Sequence, residues 1–298
     1  MDTTTPIASE TPQRRTRLLP WILFFAILGL AGGLLYRGYG FYSLPLDQRV
    51  ESSDFRTLGP GGLLGHGYGI IGTALILTNL LYLVRRRMAR TAGLGSIKAW
   101  LDMHVFTGLA GGMLILFHSA FQSRTPVALV SAIALGMVIL TGLVGRFLHF
   151  LAPAPDPMVI ATHIHALDAT LEGAGARARA AIDAIRPTEP DAQAGFLRTL
   201  LRLPTWMREA RAARASVNAA LDDGTVIEDH AMEVTFRKTR KKLAQLAGRE
   251  VRTVAINALL RSWRTVHRLL AILMLLTVPA HIVVAWLYGY RWIWSQTP

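Results

Sequence analysis

Residues 100–121 read WLDMHVFTGLAGGMLILFHSAF, and residues 266–288 read VHRLLAILMLLTVPAHIVVAWLY. Either stretch is long and apolar enough to cross the hydrocarbon core of a bilayer as one helix, and each carries two histidines. The pairs are His104 with His118 and His267 with His281, both fourteen residues apart (118 − 104 and 281 − 267). Fourteen residues at roughly 100° each fall about 40° short of four turns, so the two histidines of a pair share one helix face about 21 Å apart. Two levels inside a single membrane thickness result.

The rest of the chain fits that reading. Of its 298 residues, 52% are hydrophobic and only 17% charged, and mean hydropathy is positive, a balance that points to lipid as the main solvent. Three further apolar runs at 18–36, 65–84 and 127–151 make five expected spans. The expected fold class is an all-α integral membrane protein, a five-helix bundle with a helical insert at 152–265 between the fourth and fifth spans. The polar tail 1–17 ends in Arg14, Arg15 and Arg17. The run after it is longer than a signal-peptide core, and Arg37-Gly38-Tyr39-Gly40 offers no small-x-small cleavage site, so it reads as an anchor.

Charge sets the orientation. Arg85, Arg86, Arg87, Arg90 and Lys98 crowd the second loop, whereas the third carries only Arg124, so the second loop is expected on the cytoplasmic side of the inner membrane. The N-terminal tail and the insert then share that side, and the tail 289–298 is periplasmic. Trp21, Tyr36, Tyr39, Trp100, Trp286, Tyr288, Tyr290, Trp292 and Trp294 cluster where helices meet the interface. The net charge of +13 lies mainly beside apolar runs, which argues for membrane lipid and against nucleic acid as the partner.

The insert opens with Pro153, Pro155 and Pro157 and holds amphipathic stretches at 161–185, 205–221 and 229–260, separated by Pro187, Pro190 and Pro204. The last stretch runs through Arg261, Ser262, Trp263 and Arg264 almost directly into the fifth span, as one continuous helix would. No internal repeat is evident.

No cysteine is present, which removes disulfides, thiolate zinc sites, iron–sulfur clusters and covalently attached c-type haem. The third and fifth spans run the same way, so His104 is expected level with His267 and His118 with His281. Two bis-histidine sites suit two haems b, because haem iron accepts two axial imidazoles from opposite sides and its macrocycle needs an apolar slot. Zinc would ask for four ligands at one point. Gly108 and Gly111, with Gly112 beside them, lie on the stripe between His104 and His118 and would let a macrocycle approach the backbone, and Ala271 plays a similar part after His267.

His104-Val-Phe-Thr-Gly108 through Phe117-His118-Ser119, Thr141-Gly142 through Gly145-Arg146, Val266-His267-Arg268 and Pro279-Ala280-His281 resemble two-haem cytochrome b cores and the related ferric-reductase-like membrane domains. The resemblance covers the second to fifth spans and implies an electron conduit with bis-histidine haems on two parallel helices. The chain departs from respiratory cytochrome b subunits in its large insert. It departs from full ferric reductases in lacking a flavin- or NAD-binding region, since no G-x-G-x-x-G follows a strand.

Around these ligands, Arg146, Arg264 and Arg268 are candidate partners for haem propionates, with ordinary flanking of the membrane as the plain alternative. His66, within Gly65-His66-Gly67-Tyr68-Gly69, is a candidate for an outer propionate, a quinol proton or a replacement ligand. His149 is a candidate for a quinone pocket at the other side. Quinone, or redox-protein partners such as a cytochrome or iron–sulfur subunit, would supply or take the electrons. His163, His165 and His230 read as surface residues of the insert. No phosphate loop, nucleophile elbow or H-E-x-x-H motif is present, so hydrolase and transferase chemistry is not expected.

Two other readings use the same residues. A transporter or proton channel would employ the intramembrane histidines as a relay, with Pro279 breaking the last helix. A membrane scaffold would dock a partner through the basic insert helices, including Arg237-Lys238 and Arg240-Lys241-Lys242.

Overall fold

The computed structural model describes residues 15–88, 94–123, 125–152, 154–185, 188, 191, 194–222 and 227–287. Arg14, Arg90, Arg124, Pro153, Pro187, Pro190 and the residues from Tyr288 onward, with Tyr290, Trp292 and Trp294, lie outside them. Among the described residues all regular structure is helical: α1 (Arg15–Tyr42), α2 (Phe55–Leu58), α3 (Leu63–Arg87), α4 (Ile97–His118), α5 (Pro126–Leu151), α6 (Pro157–Thr170), α7 (Ala174–Asp183), α8 (Phe196–Leu201), α9 (Leu203–Ala220) and α10 (His230–Leu287), plus a 3-10 turn at Gln48–Val50. Five helical segments among the described residues are long and apolar enough to cross a membrane: Leu18–Tyr42, Phe55–Arg87, Ile97–His118, Pro126–Leu151 and His230–Leu287. Their outward faces are apolar too, with Trp21, Phe25, Leu140 and Leu276 all more than half exposed. A helix that is hydrophobic all round is compatible with contact to lipid rather than water.

Helix ends follow local chemistry. Ser96 begins α4 by accepting the Ala99 N–H at 3.2 Å, and Asp156 begins α6 by accepting the Met158 N–H at 2.9 Å, with Pro157 in the first turn, where its missing N–H costs nothing. The first helix runs on through Arg37-Gly38-Tyr39-Gly40 to Tyr42 rather than stopping at residue 36, because two isolated glycines weaken a helix without ending it. The third expected span ends three residues early, at His118, where Ala120 and Phe121 turn to φ of 47° and 61°. The 161–185 stretch is two helices, since Gly173 at φ 75° reverses the chain between α6 and α7. At the other extreme α10 is a single 58-residue helix that continues past Pro279.

The chain divides into two compact units, Met1–Leu140 with Leu270–Pro298, and Thr141–Leu269. In the first, α3 and α4 meet backbone to backbone. A Cβ on Gly72 would come 2.8 Å from the Gly111 carbonyl oxygen, and one on Gly111 would come 2.8 Å from the Gly72 carbonyl oxygen. The close approach that Gly111 offers is therefore taken by α3 and not left to a macrocycle, because facing glycines let two helices close to contact. Leu30 and Leu34 of α1 pack on Leu114 and Phe117 of α4. Ile76, Ala134, Leu135 and Met274 join α3, α5 and the end of α10. Ser131 of α5 adds a hydroxyl bond to the Thr277 carbonyl at 3.0 Å, two residues before Pro279, so a side chain serves a carbonyl near a helix-breaking proline, as apolar surroundings require.

The loop after α1 is fixed by Arg49, only 6% exposed. Its guanidinium donates to the carbonyls of Leu44 at 3.0 Å, Tyr42 at 2.7 Å and Ala120 at 2.6 Å. One side chain thus serves orphan carbonyls at the ends of both α1 and α4, which backbone bonds within each helix leave unpaired.

The second unit is built on small residues. Ala174 and Ala178 of α7, Val217 and Leu221 at the end of α9, and Leu243, Ala244 and Ala247 of α10 share one core with Ile164 and Leu167 of α6. A Cβ on Gly248 would come 2.7 Å from the Ala210 carbonyl oxygen, so α9 and α10 also cross at contact distance. A second cluster holds Trp206, Ala255, Ala258 and Leu259 against Leu148, Phe196 and Leu203.

Candidate functional site

His118 closes α4, and its surroundings determine which ring nitrogen is available. Its Nδ1 lies 2.9 Å from the Gly65 carbonyl oxygen. A carbonyl only accepts, so Nδ1 carries the hydrogen and the neutral ring keeps its lone pair on Nε2. Metal-bound histidines show this arrangement, one nitrogen tied to a carbonyl and the other turned to the metal. Gly69, one turn after Gly65 on α3, makes room for the ring: a Cβ there would sit 2.8 Å from Nδ1 and 2.9 Å from Cγ.

Two more histidines of the same unit approach it. The His66 ring stands edge-on to His118 with centroids 6.2 Å apart, and both His66 and His281 lie within Coulombic range of His118. His281 Nδ1 is buried with no hydrogen-bond partner among the described residues. A buried ring nitrogen without a partner is costly in apolar surroundings. Imidazoles of α3 and α4 therefore meet at this level, and His281 of α10 interacts electrostatically with His118.

His104 sits fourteen residues earlier on α4. Its ring lies 5.0 Å from that of Tyr82, at the wall of a cavity of about 270 Å³ lined also by Leu94, Trp100, Met103 and Thr107. The Thr107 hydroxyl reaches Asn79 Oδ1 at 2.7 Å, and a Cβ on Gly108 would meet only the Asn79 amide, at 3.5 Å. Trp100 donates its indole N–H to the Leu94 carbonyl at 2.6 Å, and both residues line this cavity.

In the second unit, His267 has its own cradle. Its Nδ1 lies 3.0 Å from the Thr141 hydroxyl oxygen, and its ring stacks on Trp263 at 5.2 Å and 24°. Trp263 donates its indole N–H to the Thr141 carbonyl at 2.7 Å. A Cβ on Gly145 would fall 1.9 Å from the Trp263 ring, and one on Gly142 would come 3.6 Å from His267 Cε1. The Thr141-Gly142 and Gly145 positions of α5 are thus shaped around a tryptophan and the histidine one turn beyond it.

Residues around the ligands fall into place less uniformly. His149 Nδ1 donates to the Gly145 carbonyl at 2.9 Å, and its ring meets Trp263 edge-on at 5.9 Å, so it belongs to the same cradle. Arg146 on α5 is half-buried and Arg268 on α10 is exposed. Gly65, Gly69, Tyr82, Thr141 and Trp263 are the positioning residues that histidine spacing alone does not name. The sequence carries a signal for three of them, Gly65 and Gly69 in the Gly-x-x-x-Gly of 65–69 and Trp263 four residues before His267. Comparison with family models, curated proteins and solved structures returned no match. No group of three or more His, Cys, Asp or Glu side chains is gathered to hold a metal ion among the described residues, whereas a bis-imidazole iron site asks for two ligands only.

Proposed function

We propose that the chain is a membrane-embedded dihaem b-type cytochrome, with His104, His118, His267 and His281 as axial ligands, that moves electrons between a quinone pool and redox partner proteins across the inner membrane. The observation that carries the proposal is the state of the rings. Nδ1 of His118 is held by Gly65 and Nδ1 of His267 by Thr141, while Nδ1 of half-buried His281 is enclosed with no hydrogen-bond partner among the described residues. Held at Nδ1, a ring presents Nε2 in a fixed direction, which is the preparation an axial ligand needs.

The residues present fit the group. When bound, haem supplies one-electron chemistry at its iron, and the protein's part is to orient the ligands, exclude water and set the polarity around them. Here Gly65 and Gly69 orient His118, and Thr141 and Trp263 orient His267. The apolar helices exclude water. His66, at 6.2 Å from His118, is placed to exchange a proton with a quinol at that level. The basic N-terminal tail and insert lie on the cytoplasmic side in this reading, and residues 289–298 on the other.

The closeness of His66 and His118 also favours one rival, a proton relay without cofactor. Purification with haem supply in mild detergent, followed by a dithionite-reduced minus oxidised spectrum and haem quantitation, separates the two. Two low-spin haems per chain are expected, with one lost in His118→Ala or His281→Ala and one in His104→Ala or His267→Ala. A colourless protein under adequate haem supply overturns the cytochrome and favours the relay.

A further inference from the structure

Residues 196–208, FLRTLLRLPTWMR, form α8 and the first turns of α9, and they carry two apolar faces where a soluble helix has one. The inner face is accounted for: Phe196 and Leu203 pack with Leu148, Trp206, Ala255, Ala258 and Leu259, and Thr199 is buried, with its hydroxyl on the Gly195 carbonyl at 3.0 Å. The outer face holds Leu197 at 68% exposure, Leu200 at 40% and Leu201 at 72%, followed by Met207 at 49%. Positions 197, 200 and 201 follow the i, i+3, i+4 rule, so this is a continuous apolar stripe aimed away from the core. Contiguous exposed leucines of this kind mark a binding surface.

The occupant is indicated by what the segment is attached to. Leu148, which anchors it, belongs to the last turn of α5, an apolar helix that ends at Leu151. In that same turn Phe150 is 78% exposed, and Phe147 is exposed too. The leucine stripe therefore begins where an outward-apolar spanning helix stops, at the depth of a bilayer interface. Arginines rim it: Arg198, which pairs with Asp191 at 3.5 Å, half-buried Arg202, and Arg208, whose guanidinium reaches the Thr205 hydroxyl at 3.5 Å. Leucines on one side with arginines beside them is the composition of a helix lying in the headgroup region of a membrane.

We propose that α8 and the start of α9 form a lipid-seated ledge, with Leu197, Leu200, Leu201 and Met207 in the headgroup–acyl boundary of the leaflet that α5 enters and the arginines toward phospholipid phosphates. The ledge makes the insert a monotopic element of the membrane, independent of any haem. It rests on α5 being a membrane span, and the test keeps the two apart.

Because the chain has no cysteine, a nitroxide can be placed at single engineered sites without background. Full-length Leu197→Cys, Leu201→Cys, Leu143→Cys on α5 and Lys238→Cys on α10 are labelled and reconstituted in liposomes of phosphatidylcholine and phosphatidylglycerol. Relaxation by oxygen is then compared with relaxation by a water-soluble nickel complex. At 197 and 201, oxygen is expected to dominate as at 143, with the reverse at 238. Labels at 197 and 201 that behave like 238 while 143 reports lipid overturn the ledge alone; that result is the one a stripe reserved for a protein partner gives. If 143 also reports water, the span itself is wrong and the ledge falls with it.

Discussion

A single missing side chain decides how His118 is held. Gly69 leaves the space in which the imidazole turns its Nδ1 to the Gly65 carbonyl, and a Cβ would intrude to 2.8 Å of that nitrogen. Gly69→Val is therefore expected to displace the ring and, if the proposed haems are present, to weaken metal binding at that level by roughly 10–100-fold and lower haem content from two per chain toward one. Quantitation of purified protein as the pyridine complex reads this directly. Two haems with an unchanged reduced spectrum in the variant would show that the ring does not depend on this space. The same residue-scale logic applies to Trp263, whose indole is fixed by the Thr141 carbonyl on one side and supports His267 on the other.

Between elements, glycine positions separate packing from spacing. At the α3–α4 crossing the glycines at 72 and 111 face each other, and neither backbone can yield without moving a helix. Gly111→Val is expected to cost about 1–3 kcal/mol or more by overpacking. Gly136 on α5 has nothing within 4 Å of a Cβ position, so Gly136→Ala is expected to leave stability unchanged or raise it by up to about 1 kcal/mol through helix propensity. Thermal unfolding of the two variants in the same detergent compares them. Equal midpoints would mean that the crossing is looser than the backbone distances require. Both substitutions sit in apolar helices of similar composition, so only their neighbours distinguish them.

At the scale of the whole molecule, the proposed five spans would put the first loop and the insert on opposite faces of a membrane. The absence of cysteine makes this measurable with engineered thiols at two exposed positions, Glu51 and Lys238. In intact spheroplasts a membrane-impermeant maleimide is expected to modify Glu51→Cys and to reach Lys238→Cys only after the membrane is opened. The reverse pattern would invert the orientation read from the arginines of the second loop, and modification of both in intact cells would change the number of spans. The 58-residue α10 carries polar sequence at one end and apolar sequence at the other, so its two ends answer to different solvents.

The sequence by itself determined the number of long apolar helices among the described residues, the unbroken run from the insert into the last one, and the fourteen-residue spacing within each histidine pair. These follow from run length and helical period, which are local properties. It missed the division of 161–185 at Gly173, because glycines inside an alanine-rich pattern are tolerated in many helices and the left-handed φ that Gly173 takes is not written in the local pattern. It also assigned Gly111 to a cofactor where α3 sits. Periodicity says which face a residue is on and nothing about what lies opposite. Only the tertiary structure supplied the opposite sides: Gly65 and Gly69 against His118, Thr141 and Trp263 around His267, Arg49 across the ends of α1 and α4. Those pairings join residues up to 126 positions apart, and they are decided by how helices pack, which no local pattern encodes.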